Sequence, residues 1–501
     1  MSVPAITETG SVAPRVSSIR RRPPSRRLEQ LGGTLVALSF AALLIGIIHL
    51  EPWILSLTGA LLGLGFTAMD TGKARKGGIT PATLYAAGFA LTSVANMVAF
   101  LSADSVSRGG YFLYAVEEHL VLATVLSLAG GVLPILGFYA VVRNPVLRFL
   151  AETLPKISSH VSDRGLVPIA AALSLLAIVV RFAVPLGAYG TLSFIVDQLP
   201  HMATFTLARA GWGRRVPYAI PVALGIALLE ATRALLFSYL RMEMVSPLFA
   251  FVVGALLGAR SFAPLRSKLF IPAYAAMALF VISFATLGEV RVTTGGTERV
   301  GKVVESELRR NAEEAPVVRQ SLLGRLTNFN QLSQVGRIVK EDGFLDGETL
   351  EYLGYALIPR FLWPGKPAIA KGAWFALRIG QARVLPDGRI SNSVNMTIPG
   401  ELYLNFGPLG VVLGCLLFGA IIGAFWFRTA FWSDPRNVLG GAFAYYLLAS
   451  AFSLGADLQV LVTSLAIFLI FVALSVVMSG GRGTQRFARQ PRRPTTSPRL
   501  P

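Results

Sequence analysis

A chain of 501 residues that is 53% hydrophobic and only 15% charged is excluded from the ordinary water-soluble class, because a soluble surface needs far more charge. Apolar runs of 18 or more residues recur and read as α-helical membrane spans, and the short alternating segments of a membrane β-barrel are missing. The net charge of +19, from 46 Lys and Arg against 27 Asp and Glu, suggests nucleic acid at first sight, but basic loops on one side of a membrane explain part of it without that partner.

Residues 1–29 are rich in Pro, Ser and Arg and read as a disordered basic cytoplasmic N-terminus. No small-residue cleavage site follows a short apolar core, so the first apolar stretch is expected to be a retained span. Spans are expected at 31–50, 52–69, 80–102, 120–142, 166–187, 191–210, 217–237, 246–260 and 269–289, then at 407–427, 437–456 and 458–478. The sixth carries Asp197, Pro200 and His201, and the eighth is short. The fold class expected is an all-α polytopic membrane protein of about 12 transmembrane helices, with one large loop, 290–406, between spans 9 and 10. A basic tail, 479–501, closes the chain and suits weak contact with anionic lipid.

The short basic loops test this order. With the N-terminus cytoplasmic, the inside loops carry Lys73, Arg75 and Lys76; Arg143, Arg148, Lys156 and Arg164; Arg214 and Arg215; Arg266 and Lys268; and Arg428 and Arg436. The tail, from Arg482 to Arg499, falls on the same side. Removing any one span would scatter them to both sides, so both termini are expected in the cytoplasm and 290–406 in the periplasm or its equivalent.

That loop is dense in arginine, from Arg291 to Arg389. Orientation does not explain its charge, whereas an anionic ligand such as a phosphate would, since guanidinium grips phosphate oxygens in pairs. Leu322, Leu326, Phe329, Leu332, Val335 and Ile338 recur at helical spacing and predict an amphipathic helix, lying on the membrane or packed on the bundle, that carries Arg325 and Arg337. Pro359, Pro364, Gly365 and Pro367 then break regular structure. Phe361, Trp363, Trp374 and Phe375 place this part near the outer lipid–water interface. Arg309 and Arg310 lie among glutamates and read as a solvated face. Arg360 is wedged between Pro359 and Phe361 and needs a partner, either a ligand or a structural counter-charge.

Ionisable groups within the spans each cost roughly 2.5–3.5 kcal/mol at mid-bilayer. Glu230 and Arg233, three apart on one helix, read as a self-neutralising pair. Arg181 has no local partner, and with Arg325 and Arg337 it is a candidate for holding a diphosphate. Asp457 also falls within the apolar C-terminal run. Glu401, just after Pro399-Gly400, is either a complement to the helix dipole or a general base. Asn405-Phe406-Gly407 reads as a cap or turn. The single cysteine, Cys415, allows no disulfide within the chain. His119 follows Glu117 and Glu118, but adjacent carboxylates point different ways on a helix. No metal and no cofactor is expected.

Two segments, YLGYALIPRFLWPGKP (Tyr352–Pro367) and SNSVNMTIPGELYLNFGPLG (Ser391–Gly410), resemble the signature region of bacterial oligosaccharide repeat-unit polymerases, the Wzy-type O-antigen polymerases. The plan of many spans and one late outer loop is similar too. The resemblance implies an inner-membrane enzyme acting on undecaprenyl diphosphate-linked glycan, without a metal. It would transfer the growing glycan of a surface polysaccharide (an O-antigen or exopolysaccharide) to the next lipid-linked repeat unit. It leaves a chain-length regulator open as a protein partner. In that chemistry Glu401 and Arg360 are the candidate catalytic residues, as base and as cation for the leaving diphosphate. Arg181, Arg325, Arg337, Trp363, Lys366 and Asn405 are the candidate substrate contacts. An O-antigen ligase shares the plan, and a flippase or transporter of lipid-linked sugars is the alternative outside enzymes, although the paired halves common in transporters are not evident.

Overall fold

The structure, a computed structural model, describes residues 26–73, 79–102, 115–159, 161–183, 191–237, 241–259, 263–282, 326–358, 362–367, 370–386, 388, 390–429, 437–452 and 457–479. These residues form an all-helical membrane protein, in which the antiparallel bridge of Val384 with Ile390 is the sole β pairing described. Helices α1 (Arg26–His49), α2 (Pro52–Lys73) and α3 (Pro81–Leu101) pack each on the next. The start of α3 is fixed by a capping box in which the Thr80 and Thr83 side chains each accept from the other's backbone N–H, with Pro81 in the first turn.

Helix α4 (Leu120–Arg143) is followed by the short amphipathic α5 (Pro145–Thr153), capped by Asn144. Helices α6 (Asp163–Ala183), α7 (Thr191–Arg214), α8 (Ala219–Phe237), α9 (Arg241–Ala259) and α10 (Ile271–Ile282) form a second group around Leu166, Leu207, Phe251 and Phe270. After the long loop come α14 (Ile398–Arg428), α15 (Val438–Phe452) and α16 (Gln459–Ser479), which close on α3 and α4 around Phe425, Phe443 and Phe468. Between α4 and α14 the backbones meet. A methyl group at Gly137 would strike the Leu416 carbonyl, and one at Gly419 the Pro134 carbonyl. Close approach through small residues is how helices associate in lipid, where no hydrophobic drive separates them from solvent.

Among the described residues, eight helices are long and apolar enough to cross a membrane, over Arg27–His49, Pro52–Thr71, Pro81–Leu101, Glu117–Arg143, Asp163–Arg181, Ala219–Leu236, Ile398–Arg428 and Gln459–Met478. Met244–Ala259 and Val438–Ala451 are apolar but shorter. The twelve-span expectation thus has eight helices behind it by length and composition. The expected sixth span is a continuous helix despite Pro200, and its Asp197 is paired with Arg181 of α6 at 2.6 Å. His201, Thr204 and Thr206 are buried beside Met202, Phe205, Leu207 and Ala208. Of the expected ninth span, the described helix covers Ile271–Ile282.

Within the long loop, α11 (Phe329–Asp342), α12 (Tyr352–Tyr355) and α13 (Lys371–Arg378) are described. Of the predicted amphipathic helix, α11 is the part from Phe329 onward; Thr327 and Asn328 are not helical, and Leu322 and Arg325 lie outside the described residues. The apolar face of α11 packs on α4 and α14 rather than on lipid: Phe329, Leu332, Val335 and Ile338 are fully buried. Phe329 and Leu332 join the main bundle core, while Val335 and Ile338, with Phe375, Ala376, Met396 and Leu404, build a small third core that seats the loop on the bundle. Full burial of each large side chain there contributes roughly 1.5–3 kcal/mol.

Candidate functional site

Helix α14 begins inside this seat. Gly407 adopts φ 64°, ψ −156°, and Pro408 follows, so the helix is broken into a short first segment, Ile398–Phe406, and the long apolar remainder. The expected turn at Asn405-Phe406-Gly407 is therefore present. Asn405 is fully buried and fixes the break to the loop. Its amide donates to the Glu401 carbonyl (2.7 Å) and the Thr349 hydroxyl (2.7 Å), and its carbonyl accepts from the Gly347 N–H (3.0 Å). These bonds use Asn405 as a structural clamp rather than as a group open to a substrate.

One turn earlier on that segment, Glu401 has no exposed surface, and both its oxygens accept from the Lys371 ammonium at 2.8 Å. Lys371 opens α13 and reaches two further partners. It donates to the Tyr352 hydroxyl at 2.7 Å and lies 3.3 Å from an Asp457 oxygen. Its ammonium also stands 4.2 Å from the centre of the Tyr352 ring. The other Asp457 oxygen accepts from the Gln459 N–H at 2.9 Å and so starts α16, which turns the first oxygen toward Lys371. Two carboxylates thus share one ammonium, leaving one net negative charge in a nearly enclosed site. Asp457 retains 19% exposure at its side chain, against 0% for Glu401, and is the reachable carboxylate. Burial first, then the Glu401 and Asp457 charges, push the Tyr352 phenol above its usual range, so it stays protonated. Since it accepts from Lys371, its own proton remains available to donate.

Next to this cluster the backbone is strained. Thr397, the residue before α14, holds φ 64°, a left-handed conformation that a β-branched side chain rarely adopts. Its hydroxyl is buried with no hydrogen-bond partner. Strain of this kind costs about 1–3 kcal/mol and gathers at functional sites.

The other sequence candidates fall in different places. Arg360 and Arg325 lie outside the described residues. Arg181 is not free for a diphosphate. Its guanidinium donates to the Asp197 carboxylate (2.6 Å), the Asp197 carbonyl (2.7 Å) and Glu230 (2.8 Å), and Glu230 accepts from Arg233 as well (2.8 Å). The expected Glu230–Arg233 pair is therefore present, and Arg181 joins it from α6. Arg337 is also committed, to Gln334 (2.7 Å), to both oxygens of Glu341 (2.9 Å) and to the Arg378 carbonyl (3.1 Å). Lys366 donates to the carbonyls of Ala356 (2.9 Å) and Ile358 (2.8 Å), tying down its own loop. Trp363 packs edge-on against Tyr355 and leaves 41% of its surface exposed, free to meet a ligand. Among the described residues no three His, Cys, Asp or Glu side chains converge as metal ligands would.

Lys371 and Tyr352 were not among the residues singled out from the sequence. Tyr352 opens the quoted Tyr352–Pro367 segment, a signal that was present but attached to Arg360. Lys371 is 30 and 86 positions from its two carboxylates, and no local pattern announces it. Comparison with protein families, with curated proteins and with solved structures gave no match.

Proposed function

We propose that this protein polymerises lipid-linked oligosaccharide repeat units at the outer face of a bacterial inner membrane, in a twelve-span arrangement with both termini in the cytoplasm. The observation that carries the reading is the Lys371 ammonium shared by Glu401 and Asp457 under the Tyr352 ring. Tyr352 and Glu401 belong to the two segments that resemble the repeat-unit polymerases.

In the reaction, the acceptor sugar hydroxyl attacks the anomeric carbon that joins the growing glycan to its lipid diphosphate. The new C–O bond forms as the bond to the diphosphate oxygen breaks, and the diphosphate leaves with that electron pair. The hydroxyl proton passes to the carboxylate pair, which has one negative charge beyond what Lys371 neutralises. Asp457 offers the reachable oxygen, while Glu401 holds Lys371 in place. Preorganised charge of this kind is the main resource for such transfers. Arg360, in the same segment as Tyr352, is our assignment for the cation that meets the leaving diphosphate. Exposed Trp363 offers a stacking face for a sugar ring.

The test is a surface-polysaccharide gel from the native host with the gene deleted, complemented by wild type, Asp457→Asn or Glu401→Gln at matched protein level. The wild-type ladder should collapse to a single-repeat band in the deletion and in both variants. A full ladder from both variants would remove the site. A ladder that stays on the carrier lipid and never reaches its final acceptor would make the protein a ligase.

A further inference from the structure

Helix α5 carries an apolar stripe that the rest of the chain leaves uncovered. Val146 and Phe149 are 66% exposed and Leu150 is 56% exposed. Their spacing of three and four residues puts them on one face of the helix. Leu147 and Ala151 lie on a second face that turns inward, with Ala151 buried. Arg148 and Glu152 form a third, polar face, where the Arg148 Nε donates to Glu152 at 3.3 Å.

The place of this stripe is set by the two long helices on which α5 rests. Helix α4 is long and apolar enough to cross a membrane and ends at Arg143. Asn144 then holds extended backbone (φ −77°, ψ 124°), and its side chain accepts from the Val146 and Leu147 N–H groups at 2.9 and 3.3 Å, so α5 starts as a new helix rather than a continuation. Helix α14, also of membrane length, ends at Arg428. There the Arg148 guanidinium stands 4.9 Å from the centre of the Phe427 ring, and the Ile157 N–H donates to the Arg428 carbonyl at 3.3 Å. The loop is seated at the other end of α4, where Gly336 of α11 lies against His119 and Leu122. Helix α5 therefore sits where two membrane-length helices end, on the side away from the candidate site. Its 9 residues rise about 14 Å, too short to cross a hydrocarbon core of about 30 Å. One apolar face and one charged face on such a helix suit the plane of a membrane interface.

Positive charge flanks the stripe. Arg143 precedes α5 and Lys156 follows it; both are exposed, and neither has a carboxylate partner among the described residues. The Arg143 guanidinium is propped on the Tyr139 ring, 4.7 Å from its centre. Glu152, the one carboxylate on α5, is taken by Arg148. Two uncompensated cations beside an apolar stripe complement phosphate groups above acyl chains.

We propose that α5 is an in-plane anchor in the membrane leaflet away from the loop, with Val146, Phe149 and Leu150 among the acyl chains and with Arg143 and Lys156 on the phosphates of anionic phospholipid. The anchor goes beyond the glycan-transfer reading, and it would hold whether or not glycan is polymerised.

The test uses the full chain reconstituted in phosphatidylcholine vesicles with a minority of phosphatidylglycerol. An environment-sensitive fluorophore is attached in turn to Phe149→Cys, Glu152→Cys and Leu136→Cys. Leu136 is exposed about 10 Å deeper along α4, and Cys415 is fully buried, with the unsubstituted chain as the labelling blank. Quenchers are aqueous iodide and lipids spin-labelled close to the headgroup or deep in the acyl chain. The shallow lipid label should quench at Phe149, iodide at Glu152 and the deep label at Leu136. Iodide quenching at Phe149 equal to that at Glu152 would overturn the proposal. So would protection of Phe149 from both lipid and iodide, the result expected if a second copy or another protein covers the stripe. Val146→Cys, on the same face, serves if Phe149→Cys does not fold. The shallow label is then carried on phosphatidylglycerol or on phosphatidylcholine at equal mole fraction, and phosphatidylglycerol should quench Phe149 more strongly. One cation at the surface is worth about a fivefold preference, so Arg143→Gln combined with Lys156→Gln should lower that preference by at least about fivefold. Equal quenching by the two lipids, or a preference unchanged in the double variant, would overturn the contact with anionic phosphates. No readout involves glycan, so the polysaccharide gel judges the polymerase reading separately.

Discussion

Lys371→Met removes the one cation that Glu401 and Asp457 share. Glu401 is then a fully buried carboxylate without a counter-charge, and losing one partner of a buried pair costs about 3–5 kcal/mol. Attraction between unit charges near 4 Å at an effective dielectric of 20 gives a similar figure, about 4 kcal/mol. Glu401→Gln should cost less, about 1–3 kcal/mol, because Lys371 keeps Asp457 and the Tyr352 hydroxyl. The double variant is the decisive one. It removes the charge that Lys371→Met strands, and the remaining Asp457 is partly exposed and can be hydrated. Its loss should therefore fall about 2–3 kcal/mol below the sum of the two single losses. Stability of all four proteins is measured by unfolding in one detergent, with glycan ladders run alongside. The double variant should regain stability relative to Lys371→Met and regain no polymer. Losses that add to within about 0.5 kcal/mol would mean that the two residues do not interact as described.

Three further outcomes follow from the same geometry. Arg337→Ala breaks a partly exposed pair three to four residues apart on one helix and should cost under about 1 kcal/mol, with glycan length unchanged; loss of polymer at normal protein level would return Arg337 to the substrate site. Arg181→Met leaves Glu230 with Arg233, and Asp197, 42% exposed at its side chain, can be hydrated, so a loss of about 1–3 kcal/mol is expected and the unfolding temperature should drop; an unchanged unfolding curve would refute the buried network. Gly407→Ala places a side chain at φ 64° and against the Phe344 ring, and a loss of about 1–3 kcal/mol is expected in the same unfolding assay.

The helices were legible because lipid imposes a plain rule of long apolar runs, and α11 was legible from its 3.6-residue period. The sixth expected span shows where that rule weakens. Asp197, Pro200 and His201 argue against a lipid-facing helix, yet Asp197 is paired with Arg181 of α6, and that pairing is a tertiary fact. The site was half legible. Glu401 stood out as a carboxylate at the head of an apolar helix, and the two quoted segments contain both Glu401 and Tyr352. Arginine density misleads at the described positions: Arg181 and Arg337 meet carboxylates of their own fold, and sequence alone does not show which cations are already neutralised. Lys371 was invisible because its partners arrive through long-range folding.

The four groups of the candidate site come from two sources. Glu401 and Asp457 stand at the heads of α14 and α16, whereas Lys371 and Tyr352 are carried by the loop. Seating of the loop therefore acts as an electrostatic latch: lifting it would bare two neighbouring carboxylates, which resist separation from their cation. Any partner or substrate that shifts the loop must bring positive charge or a proton to that spot, and the site is assembled only in the latched state.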